Sequence, residues 1–139
     1  MKKAVIVVGS HHSGKSKTIK KFFKPHVGIS ENQRLFSLGS DAGAAFSQSI
    51  EERRHNGHAM SQSLEEKGLD DVADFLKKYS HYSHLVLAAR PTGEVPSLYN
   101  HLKIELQRLG FTVYTVQVVG GQPDSFYKDR AKEILEYLK

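Results

Sequence analysis

One run in this chain has residue types and spacing suited to a specific chemistry: Gly9-Ser10-His11-His12-Ser13-Gly14-Lys15-Ser16, a full match to G-x-x-x-x-G-K-[ST]. Glycines at both ends let the backbone curl so that successive N–H groups turn inward. A helix beginning at the end of the run would add the partial positive charge of its N-terminus. Lys15 can then reach the β- and γ-phosphates of a polyphosphate, and the Ser16 hydroxyl can ligate Mg²⁺. The mechanism requires a strand before the run and a helix after it. Residues 4–8 (AVIVV) are a continuous apolar run ending at Gly9, as in a strand buried on both faces of a parallel sheet. After Gly14, the apolar residues Ile19, Phe22 and Phe23 recur at helical spacing, and Pro25 is expected to stop the pattern.

The rest of the chain supplies elements to hold such a loop. Arg34 to Leu38 reads as a second strand, and Ala42, Ala45, Phe46, Ser49 and Ile50 make a small-residue helical stripe. His55 to Gly68 (HNGHAMSQSLEEKG) is polar and aperiodic, and is expected to be a mobile loop. Leu69, Val72, Ala73, Leu76 and Tyr79 predict a helix with Asp70 and Asp71 in its first turn. His84 to Ala89 reads as a buried strand, Leu98 to Leu109 as a helix closed by Gly110, and Phe111 to Val119 as a further strand. Pro123-Asp124-Ser125 opens a last helix. Alternating strands and helices predict an α/β domain, with a mainly parallel sheet of four or five strands and helices on both faces.

Composition fits one such domain. The chain has 139 residues, 39% hydrophobic and 25% charged, enough for a single core and too short for a second domain of ordinary size. It has no cysteine, which excludes disulfides, thiolate metal sites and cysteine nucleophiles. Lys and Arg outnumber Asp and Glu by 20 to 15, a net charge of +5 that favours anionic partners. No apolar run has the length of a membrane span, and the stretch after Met1-Lys2-Lys3 is too short for a secretory signal. The expectation is a single cytoplasmic domain over residues 1–139 with no membrane partner.

With its strand–loop–helix context, the run Gly9 to Ser16 resembles the Walker A motif of the P-loop NTPase superfamily. The resemblance covers that unit specifically and the remaining alternation generically. It implies a three-layer sandwich binding a nucleoside triphosphate with Mg²⁺. Gly9, Ser13, Gly14 and Lys15 would surround the phosphates, Ser10, His11 and His12 would complete the loop, and Ser16 would hold the metal. The family usually has Thr or a small residue after the Ser/Thr. Here Lys17 stands there and Thr18 follows, which shifts the expected α-phosphate contact.

A second motif of that superfamily is an apolar strand ending in Asp, which holds a water of the Mg²⁺ shell. The strand best matching it, Leu85 to Ala89, ends in Arg90. The substitutes are Asp41 after the second strand, Glu94 in the loop after Arg90, and the pair Glu51/Glu52. Ligands gather at the carboxyl ends of parallel strands, which favours Asp41 and Glu94 as metal ligand or base. The position of Asp41 also resembles the substrate-facing acid of several small kinases in the superfamily, although Asp is equally suited to capping a helix there. No N-K-x-D and no D-x-x-G after a strand is present, so ATP is expected rather than GTP. The D-G-F-P-R-like run and lid of nucleoside monophosphate kinases are absent too.

Other signals carry less. Arg90, Arg53 and Arg54 can face a phosphate or simply solvent. His55-x-x-His58 and His81-x-x-His84 lack a third ligand in sequence. Lys17, Lys20, Lys21 and Lys24 make the first helix basic, but a nucleic-acid footprint would interleave more aromatic residues or arginines. Three functions stay open: an Mg²⁺-dependent ATPase or small-molecule kinase using Lys15, Ser16 and Asp41 or Glu94; a non-catalytic nucleotide switch read by a partner; and nucleic-acid binding.

Overall fold

The computed structural model describes residues 2–10, 12–38, 56–68 and 71–139. Among these residues five strands form one sheet: β1 (Lys2–Val8), β2 (Leu35–Phe36), β3 (Gly57–Ala59), β4 (His84–Ala89) and β5 (Phe111–Gln117). Their order is β2-β3-β4-β1-β5. β1 runs parallel to both β4 and β5, β4 runs parallel to β3, and β2 is antiparallel to β3. The first helix, α1, is π-wound over Lys17–Phe23 and closes in one α-turn, Lys24–His26; α2 (Val72–Lys77), α3 (Tyr99–Arg108) and α4 (Asp124–Leu138) follow.

Strand β1 lies between two strands and is covered on both faces, which is why its sequence is a run of apolar residues without alternation. Val5 and Val7 face one side, where they pack with Ile19, Phe22 and Phe23 of α1 and with Ala131, Ile134 and Leu138 of α4. Ala4, Ile6 and Val8 face the other, against Val72 and Leu76 of α2 and Leu102 and Leu106 of α3. Helices therefore cover both faces, as the alternation predicts.

The differences from expectation have local causes. The segment expected as a mobile loop contains β3, whose Gly57, His58 and Ala59 are all buried, and continues into Leu64, which is fully buried. A three-residue strand is too short to show periodicity, and here the ring of Phe36 lies where a side chain at Gly57 would be, 2.4 Å from a Cβ. The expected second strand shrinks to two residues: Leu35 and Phe36 pair with His58 and Gly57, while Arg34 O accepts from Ala59 N–H at 2.9 Å and the Leu38 backbone bonds to the Asn56 side chain rather than to a strand. The first helix runs one residue past Pro25 and ends at His26. The helix expected from Leu69 begins at Val72, because Asp71 caps it by accepting from the Asp74 N–H at 3.0 Å. The helical stripe from Ala42 to Ile50 lies outside the described residues.

Candidate functional site

Parallel strands deliver their carboxyl ends to one edge of the sheet, and β1 delivers Gly9 to the middle of it. Gly9 N–H donates to Ala89 O of β4 at 3.2 Å, and Val118 N–H, just past β5, donates to Val8 O at 2.9 Å. The loop after β1 thus leaves from between two neighbours that hold its base.

The loop turns back on itself within a few residues. Ser13 N–H donates to Ser10 O at 3.0 Å. His12 has φ +61 and Gly14 has φ +99, so the chain passes twice through the left-handed region. Gly14 O then receives both the N–H and the hydroxyl of Thr18, at 2.9 and 2.8 Å, fixing the start of α1.

Lys15 is 5% exposed, and its ammonium donates to Gly9 O at 2.5 Å and Ser10 O at 2.8 Å, bridging across the loop. Burial lowers its pKa below the ordinary lysine value, opposed by the charges of Glu66, Glu65 and Glu94. Ser13 is 4% exposed, and its hydroxyl has no hydrogen-bond partner among the described residues. Ser16 is exposed.

The loop forms one wall of a cleft of about 700 Å³. Residues 12–17, Lys20 and Lys24 line that wall, and Arg34, residues 59–63, Glu66 and Lys67 line the rest. Among the described residues lining it, six are Lys or Arg and one is a carboxylate, so this part of the cleft is electropositive.

Of the residues singled out in sequence, Gly9, Ser10, His12, Ser13, Gly14, Lys15 and Ser16 form the loop. Lys17 points its ammonium to Asp124 of α4, 2.6 Å away. Thr18 is fully buried, with its hydroxyl on Gly14 O rather than in the cleft. Glu94 lies 3.8 Å from Arg90 in an ion pair at the end of β4. His11, Asp41, Glu51, Glu52, Arg53, Arg54 and His55 lie outside the described residues. His58 is a core histidine, packed on Tyr79 and Tyr82 with ring centroids 4.7 and 5.6 Å away. Among the described residues no group of three or more His, Asp or Glu could hold a metal ion. No helix among them is long and apolar enough to cross a membrane.

Sequence reasoning missed two acids whose charge acts on Lys15. Glu65 and Glu66 follow β3 in the segment without periodicity, and both raise the Lys15 pKa. One carboxylate oxygen of Glu65 accepts the N–H groups of Arg90 at 3.0 Å and Leu98 at 2.7 Å; the other is buried without a partner among the described residues. Their adjacency in sequence was visible; the strand that carries them to the loop was not.

No protein-family model, no curated protein and no solved structure matches the chain.

Proposed function

We propose that this chain binds ATP with Mg²⁺ at the loop Gly9 to Ser16 and acts on its γ-phosphoryl group, as an ATPase or small-molecule kinase of the P-loop type. The observation that carries the reading is Lys15: a nearly buried ammonium held across a tight glycine-bounded loop, at the carboxyl end of a central strand and facing an electropositive cleft. Both its partners are neutral carbonyls, which a phosphate oxygen outcompetes as an acceptor. The unpartnered Ser13 hydroxyl and the helix start behind it fit the same ligand.

Magnesium, if bound, would supply positive charge to offset that of the triphosphate. Ser16 is the residue to hold it, since its hydroxyl is exposed at the loop's end. Lys15 stabilises charge on the transferring group, and the loop's backbone N–H groups orient the phosphates. Glu66, which lines the cleft, and Glu94, whose charge acts on Lys15, are the candidate carboxylates to take a proton or hold a metal-bound water, with Asp41 a further candidate. Glu65 is occupied by two backbone N–H groups and positions the turn after β4 instead.

A slower, switch-like role is favoured by one observation. β4 is followed by Arg90, and β3 by Met60, Ser61 and Gln62, so neither strand ends in an acid. Calorimetric titration with ATP and GTP, with and without Mg²⁺, tests the binding; identical behaviour of the natural chain and Lys15→Ala would overturn it. ATP turnover over a panel of small acceptors then separates the two roles. Turnover that falls in Glu66→Gln or Glu94→Gln supports an enzyme, whereas ATP binding without turnover supports the switch.

A further inference from the structure

The cleft carries a second concentration of positive charge away from Lys15. Lys20 and Lys24 reach it from α1, Arg34 precedes β2, and Lys67 lies in the turn after Leu64. Lys24 is 2% exposed, and its ammonium donates to Glu31 O at 2.9 Å. A carbonyl supplies only partial negative charge, so an ammonium buried on one is poorly compensated. Burial lowers the Lys24 pKa, and Lys20 and Arg34 lower it further, against a smaller opposing effect of Glu31. Lys67 is lowered likewise, by burial and then by Arg34. Glu66 is the one carboxylate among the described residues lining the cleft. Cations gathered in a concave surface repel one another until an anion enters, and that relief favours binding.

This cluster is not the phosphate loop seen again. Lys24 stands nine positions after Lys15, and the two ammoniums are held on different carbonyls, Glu31 O for Lys24 and Gly9 O and Ser10 O for Lys15. The two charge centres therefore occupy different parts of one cleft. Its volume of about 700 Å³ suits small molecules, and no Phe or Tyr is among the described residues that line it.

We propose that Lys20, Lys24, Arg34 and Lys67 form a second anion subsite, which takes the phosphate of a phosphorylated small molecule bound beside the loop Gly9 to Ser16. Identifying that molecule as the co-substrate of ATP rests on the function proposed above; the anion site does not.

The test uses inorganic phosphate, titrated by calorimetry at fixed low salt into the full chain, with ATP and Mg²⁺ titrated in parallel. Lys24→Met is the obvious variant, but its buried position endangers folding. Arg34→Gln/Lys67→Gln, checked by thermal unfolding, takes its place, with Lys20→Gln as a second variant. The expected result is phosphate binding that survives Lys15→Ala and weakens at least tenfold when Arg34→Gln/Lys67→Gln is added. Phosphate binding that disappears with Lys15→Ala, while ATP still binds the natural chain, overturns the subsite and leaves the nucleotide reading standing. Phosphate binding that survives Lys15→Ala with no ATP binding to the natural chain, and that needs Arg34 and Lys67, upholds the subsite and overturns the nucleotide reading. Binding indifferent to Arg34, Lys67 and Lys20 places the anion elsewhere and overturns the proposal. So does a single-stranded oligonucleotide that binds Lys15→Ala over tenfold tighter than phosphate and loses that advantage in Arg34→Gln/Lys67→Gln, which assigns the cluster to nucleic acid.

Discussion

Tyr127, near the start of α4, packs its ring so closely on Gly14 of the loop after β1 that a Cβ there would lie 2.5 Å from the ring's Cε1. The Tyr127 hydroxyl donates to Val119 O at 2.8 Å, and the Lys17 ammonium lies 5.2 Å from the ring centroid. One side chain thus joins the loop, the chain leaving β5 and the helix behind them. The loop is shaped by α4 as well as by its own sequence.

Gly14→Ala should therefore cost stability twice over, through a side chain at φ +99 and through the collision with Tyr127. The expected loss is roughly 2–4 kcal/mol by urea unfolding. In a Tyr127→Leu background the same substitution should cost measurably less, because part of the collision is gone. Additive losses would show that Tyr127 is not the obstacle.

Glu65→Gln should lower stability by about 1–3 kcal/mol, since a carboxylate accepting two backbone N–H groups is replaced by a neutral amide. Glu66→Gln, at an exposed position, should change stability little. Denaturant unfolding of the two variants side by side checks the contrast.

Acid should destabilise the chain through His58. Burial, then the charges of Arg34, Lys67, Lys24 and His81, lower its pKa from 6.5 to about 4. Between those values the unfolded chain binds a proton that the folded chain refuses, so stability falls as pH drops from about 6.5 towards 4. The full effect is on the order of 3 kcal/mol. His58→Phe keeps a ring against Tyr79 and Tyr82 and should flatten that part of the pH profile. Equal slopes for the two proteins would remove His58 as the cause.

ATP with Mg²⁺ should raise the unfolding free energy by about 4 kcal/mol at a free concentration a thousand times Kd. In Lys15→Ala that gain should vanish at the same concentration. Thermal or urea unfolding with and without nucleotide measures it.

The sequence by itself determined the strand–loop–helix unit around Gly9 to Ser16 and the alternation that makes an α/β sheet. Both are local: a β-branched run, two glycines at fixed spacing, and apolar residues at helical period report their own conformation. The tertiary structure decided which other groups meet that loop. β3 is three residues long, and its burial depends on Phe36 lying over Gly57, a contact between segments that periodicity within either one does not report. Through β3 come Glu65 and Glu66, and with them the wall of the cleft that faces Lys15. The net positive charge was countable from the chain, but its gathering at Lys20, Lys24, Arg34 and Lys67 was not. Charges distant in sequence act together only once packing brings them within a few ångströms, where burial weakens the screening by water.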